Sequence, residues 1–304
     1  MKEHSGMDKP SEPTPGRIYR IGKLTPFGLS APAALLLAGF LTTPLVLLGR
    51  VSLYEAGTGY GFFTAGTWTT ANYSNILDGF GIRLIGFTIA FALGIAGITI
   101  PVAYFLALFI RGLSLGWQRI TLTIVLLPKL IGVLPILFGI QQLLGDAGPV
   151  NHLLLKLGLI AEPIRIIRGI PGALIGEVYL ILPYAVMLLV VQLGTIDPVL
   201  AQAAKGLGAS PWSTFIRITL PLSAPGLALA TQLALVWGMG ALLGPLILGG
   251  PEQATLSVEI HRQAFEYGRW PRAAALAVLL TASVGICSAL SVLLFGLFRR
   301  GSAP

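Results

Sequence analysis

The sequence predicts an all-α membrane protein with six transmembrane helices, and three observations predict it. Hydrophobic residues fill 55% of the 304 positions and charged residues only 11%, a balance that excludes a soluble globular domain. Mean hydropathy is +0.83. The apolar residues gather into six runs, each near the ~20 residues that a helix needs to cross a bilayer. Such runs are too long and too uniformly apolar for the alternating strands, each about ten residues long, of an outer-membrane barrel.

Residues 1–26 are polar and rich in Pro and Ser, which predicts a flexible cytoplasmic leader. The first span, 31–48, is longer than a signal-peptide core and lacks a small-x-small cleavage site, so it is expected to stay in the membrane. The remaining spans are predicted at 84–110, 120–143, 172–194, 222–248 and 273–298, giving a six-helix domain over 27–300. Pro128, Pro135, Pro183, Pro225 and Pro245 fall inside them and are expected to bend helices. Gly240 and Gly244 form a small-residue pair that predicts close helix packing. Cys287 is the only cysteine; it can form no internal disulfide and reads as a packed apolar residue. Outside the spans, Leu153, Leu154, Leu157 and Ile160 predict a surface helix within 151–168, and 258–267 predicts a second short helix.

Between the fourth and fifth spans the chain turns polar. Asp197 followed by Pro198 supplies a capping acceptor and a residue pre-set for the first helical position. Leu200, Ala203, Ala204 and Leu207 then recur at helical spacing, with Gln202 and Lys205 outside that face, until Gly206 and Gly208 end the helix. Ser210 and Pro211 repeat the start signal, and Trp212, Phe215 and Ile216 give a second short helix its apolar side before Pro221 breaks the pattern. A compact knob of two small helices is the expectation.

Six spans put both termini and this knob on one side. That side carries eleven Lys and Arg against eight on the other, so it is expected to be cytoplasmic. The +8 net charge follows largely from this sidedness and calls for no nucleic-acid partner. The chain has no phosphate loop, no zinc-binding HExxH motif, no clustered Cys and His ligands and no GxSxG elbow. No catalytic residue and no metal site is expected. Lys129 and Glu177 stand inside spans, where each costs roughly 2 to 3 kcal/mol or more if it faces lipid. Both are therefore expected to face protein or water. At about 1.5 Å per residue they lie about 10 Å apart in depth, leaving open a reaching ion pair, a cation-attracting Glu177 in a solute path, and an ion relay of a self-sufficient transporter.

A resemblance supplies a partner for the knob. Gln202-Ala203-Ala204, three residues, Gly208, nine residues, Ile218, one residue and Leu220-Pro221 resemble the EAA loop of bacterial ABC importer permeases in every spacing, with Gln202 where that family has Glu. The resemblance extends over most of the chain. Residues 143–160, 244–260 and 268–280 are most similar to the spermidine/putrescine permease branch in its first-subunit form, a pattern shared with iron(III), opine and aminoalkylphosphonate importers. It implies a type I ABC importer fold in the bacterial inner membrane, a second and different permease subunit, two cytoplasmic ABC ATPases and a periplasmic binding protein delivering a polyamine. ATP and Mg would be bound by the ATPases and no cofactor by this chain. It further implies that Asp197, Gln202, Ala203, Ala204, Gly208, Ala209, Ser210, Phe215, Ile218, Leu220 and Pro221, within a coupling loop at 197–221, carry contact with the ATPase. At Gln202 a hydrogen bond would replace an ion pair.

Overall fold

Long apolar helices dominate the chain because a segment in lipid must satisfy its backbone polar groups internally. The computed structural model describes residues 26–301 apart from 58–60, 75, 77–78 and 251–252. The expected leader at 1–26 lies outside the described residues except for Pro26, which begins the first helix. Among the described residues, six helical stretches are long and apolar enough to span a membrane. The chain divides into two compact units, one ending at Val46 and the other beginning at Leu47. The first span is a continuous helix, α1 (Pro26–Ser52), that carries Pro32 and Pro44.

The second unit begins with a small cap. A two-residue hairpin pairs β1 (Glu55–Ala56) with β2 (Phe63–Thr64). A one-turn helix, α2 (Ala71–Ser74), is tied to the end of α1 by the Asn72 amide, which donates to the carbonyls of Ser52 and Tyr54 at 2.9 Å. The core then forms where α3 (Gly79–Gly112), α7 (Ile170–Gly194) and α10 (Leu220–Met239) pack on one another. Ala96, Ala103 and Ala107 on α3 meet Ala185, Ala230 and Ala234 in that interface. Small residues let these backbones approach, which is how helices associate where lipid gives no hydrophobic drive. Gly238 is one close instance: a Cβ there would lie 2.7 Å from the Ala92 Cα. The last helix, α13 (Trp270–Gly301), packs on α10 and on α12 (Leu256–His261).

Two expected spans are broken. The third is α4 (Leu115–Leu126), a 3-10 turn at Leu127–Leu130, and then α5 (Val133–Leu144). Pro128 sits at the start of the 3-10 turn, and Gly132 takes a φ of +96° that a side chain resists, so the hydrophobic run hides a backbone break. The fifth expected span ends early, since α10 stops at Met239 and α11 (Leu243–Leu248) starts a separate short helix. Gly240 and Gly244 consequently do not form the expected packing pair on one helix. Irregular backbone at this depth is tolerated only when protein satisfies it, and here Thr255 Oγ1 donates to the Ala241 carbonyl at 2.9 Å.

The expected surface helix within 151–168 is shorter than predicted. Only α6 (Pro149–Lys156) is helical, and Asn151 holds the following strand-like stretch by bonding both the N–H and the carbonyl of Ile164. The expected helix at 258–267 is present as α12 and a π-helical turn, Arg262–Glu266.

Candidate functional site

The knob after the fourth span is built as its capping residues predict. Asp197 accepts from the Val199 N–H at 2.9 Å and starts α8 (Pro198–Gly206). At its end the Ala209 N–H reaches the Ala204 carbonyl and the Gly208 N–H reaches that of Lys205, both at 3.0 Å. These two bonds form a Schellman stop, which needs a left-handed residue. Gly208 supplies it with a φ of +83° and open space around it. Ser210 then accepts from the Ser213 N–H at 3.2 Å and starts α9 (Pro211–Thr214).

The second knob helix does not end at Pro221. It runs through a π-helical turn, Phe215–Thr219, directly into α10. A proline removes a backbone donor and crowds the carbonyl four residues before it; the wider π turn immediately ahead of Pro221 accommodates both effects. The knob is thereby rigidly continuous with a spanning helix.

Three contacts fix the base of the knob to the core. Phe215 packs between Trp212 at 5.5 Å and Tyr104 at 6.0 Å, ring centre to ring centre. The Tyr104 hydroxyl bonds Ser223 Oγ at 2.7 Å. Arg111, at the end of α3, donates to the Ile196 carbonyl at 2.7 Å. Above that base the tip is open: Gln202 and Ala203 are exposed, Ala204, Ala209 and Ile218 half-buried. Leu200, Leu207 and Trp212 are apolar yet exposed, Leu207 by 90%. The helical face that the sequence predicts is thus formed, and among the described residues nothing covers Leu207 or Trp212.

The intramembrane charges meet through a third residue. Glu177, 2% exposed, accepts from the Trp237 indole N–H at 2.8 Å and from the Gly244 N–H at 3.0 Å. Lys129 Nζ donates to the Leu180 carbonyl and lies 4.7 Å from the Tyr184 ring centre and 5.9 Å from that of Trp237. Lys129, on the break between α4 and α5, reaches the carbonyl of Leu180, three residues along α7 from Glu177. Trp237 belongs to this site and was not singled out from sequence. The available signal was that a carboxyl in a span needs donors, and Trp237 is an indole in the neighbouring fifth span.

At the opposite end of the second unit from the knob, two cavities share Gln253 and Arg262; Arg83 lines one and Arg168 the other. Among the described residues no cluster of His, Cys, Asp and Glu could hold a metal.

Comparison with known proteins agrees with this architecture. The chain is 30% identical over 224 residues to the spermidine/putrescine transport system permease protein PotB of Escherichia coli (strain K12), covering 74% of this chain and 82% of that protein. It is 30% identical over 155 residues to the molybdenum transport system permease protein ModB of Azotobacter vinelandii, covering 49% and 65%. The fold is similar to that in the crystal structure of a bacterial alginate ABC transporter in complex with alginate pentasaccharide-bound periplasmic protein, with a TM-score of 0.68 at 20% identity, covering 90% of this chain and 93% of that one. Residues 99–302, from the middle of α3 through the knob to the last span, match the family described as binding-protein-dependent transport system inner membrane component. With that match over two thirds of its length, the chain belongs to this family and is a permease subunit of an ABC importer in the inner membrane.

Proposed function

We propose that this permease forms half of a translocation path for a polyamine, paired with a second, different permease and driven by two cytoplasmic ABC ATPases. The observation that carries the coupling half of this reading is the uncovered apolar tip of the knob. Leu200, Leu207 and Trp212 are held out by two capped helices that run into the core through Phe215 and α10. Such a preformed face suits a groove on another protein, because little ordering entropy is lost when it docks. Gln202, exposed on the same helix, gives the ATPase a hydrogen-bonding partner where the family has a carboxylate. On this reading the knob and both termini are cytoplasmic, ATP and Mg bind the partners, and a periplasmic binding protein delivers solute at the opposite end. Alternating access follows from rigid-body motion of the packed helices when the knobs are drawn together.

The polyamine assignment rests on the similarity to permeases named for spermidine and putrescine transport. A second reading, an anionic solute, is favoured by Arg83, Arg168 and Arg262 lining the cavities far from the knob. Calorimetry of the cognate binding protein separates the two. Putrescine or spermidine binding, with none of iron(III) or aminoethylphosphonate, is the expected result; binding of only a non-polyamine rules the polyamine assignment out.

A further inference from the structure

Lys129 is housed in a way that a lysine needing only neutral surroundings does not require. Its ammonium faces the Tyr184 ring at 4.7 Å and the Trp237 ring at 5.9 Å and bonds the Leu180 carbonyl. Two ring faces within about 6 Å of a cation, joined by a carbonyl acceptor, make a general recognition site for an alkylammonium group. The cage is pre-organised from behind. The Trp237 N–H is held by one oxygen of Glu177 and the Gly244 N–H by the other, so the indole plane is set whether or not a cation is present. Glu177 also places a carboxyl group next to the cage.

The occupant, by contrast, is mounted on irregular backbone. Lys129 sits on the 3-10 turn between α4 and α5, ahead of Gly132 with its positive φ. Its neighbours Leu127, Leu130 and Ile131 are exposed. Tyr184 is 42% exposed, and Lys129 and Trp237 are half-buried, so the site is reachable from outside the chain. A cage clamped from behind, with its lysine on an irregular turn, is the arrangement expected when one cation exchanges for another.

We propose that Tyr184, Trp237 and the Leu180 carbonyl form a site for a primary ammonium group, that Lys129 fills it in this conformation, and that a substrate ammonium takes its place during transport. The site would take one end of an aliphatic diamine or polyamine. It rests on the polyamine reading above but makes its own claim about these residues. Lys129 is the tethered competitor: two like charges exclude each other from the cage, and the site stays filled when no substrate is present.

The test is equilibrium binding of n-butylamine to the assembled transporter in nanodiscs without binding protein, with 1-butanol as the uncharged control. Removing a tethered competitor raises apparent affinity, here by ~10-fold or more in Lys129→Met, because tethered groups act at millimolar effective concentration or above. Lys129→Arg, which keeps the cation, is expected to show no gain. Adding Tyr184→Leu to Lys129→Met is expected to abolish the gain. Should Lys129→Met not assemble, Lys129→Gln, uncharged but able to donate to the Leu180 carbonyl, is read in the same way. No gain in the uncharged variant, or a gain that survives Tyr184→Leu or is equal for 1-butanol, overturns the proposal. The two readings fail separately. A binding protein that takes polyamines with no gain in Lys129→Met refutes the cage alone, and a butylamine gain with a binding protein that refuses polyamines refutes the polyamine reading alone.

Discussion

Both oxygens of Glu177 accept from fixed donors, the Trp237 indole and the Gly244 backbone. An amide at that position can accept through one atom only and turns its own N–H2 toward the other donor. Glu177→Gln is therefore expected to lower stability by about 1 to 3 kcal/mol, the cost of leaving a buried donor unsatisfied. A lower temperature for loss of helical circular dichroism in nanodiscs checks it, and an unchanged transition would mean that the clamp carries no energy. Gly208 makes a different demand. A Cβ there meets nothing within 4 Å, and the constraint is the φ of +83° alone. The turn is therefore not packed, and a side chain is resisted by the backbone: Gly208→Ala costs about 1 to 2 kcal/mol in the left-handed region. Initial uptake rates in cells should fall for Gly208→Ala and hold for Gly206→Ala, where no positive φ exists and no atom lies within 4 Å; equal rates for the two would remove the Schellman stop from the account.

Among the elements, the contact of α3 with α10 leaves no room for a side chain at Gly238. Gly238 admits no Cβ because Ala92 backbone and side-chain atoms lie at 2.7 and 3.0 Å. Gly238→Leu should cost about 1 to 3 kcal/mol through overpacking. Gly97→Ala, with open space on the same α3, should be neutral or slightly stabilising, since Ala is the better helix former. Thermal unfolding of the two purified variants gives the comparison, and similar losses in both would contradict the packing described. The elements also mark the limit of what hydropathy reveals. The fourth and sixth spans were legible because the membrane demands uninterrupted apolar helix. The breaks at 127–132 and 240–242 were not, because Leu, Ile, Pro and Gly keep hydropathy high whether the backbone is helical or interrupted. The knob was legible in its caps, Asp197-Pro198 and Ser210-Pro211, which act locally. Its join to α10 was not, because a π turn that accommodates Pro221 has no compositional mark. The Glu177, Trp237 and Lys129 cluster was legible only as two charges in need of partners, since the partners come from helices far apart in sequence.

For the whole molecule, the parts assign one chain two mechanical ends. One end presents an uncovered apolar tip stiffly joined to α10 and pinned to α3 through Tyr104 and Arg111. Toward the middle, Glu177 ties α7 to the end of α10 and the start of α11. On the proposed coupling, a displacement of the tip would pass through these contacts into the helices around the intramembrane charges. The central claim is that this displacement is supplied by ATP hydrolysis in other subunits, against a self-sufficient transporter in which Lys129 and Glu177 relay ions. The most direct measurement is uptake of labelled putrescine into proteoliposomes by the chain alone under an ion gradient, and by the assembled transporter with binding protein and internal ATP, each with and without Ala204→Asp. The account predicts no gradient-driven uptake by the chain alone, ATP-dependent uptake by the assembly, and loss of that uptake in Ala204→Asp while the complex remains inserted. Gradient-driven uptake by the chain alone, or full uptake by the Ala204→Asp assembly, would contradict it.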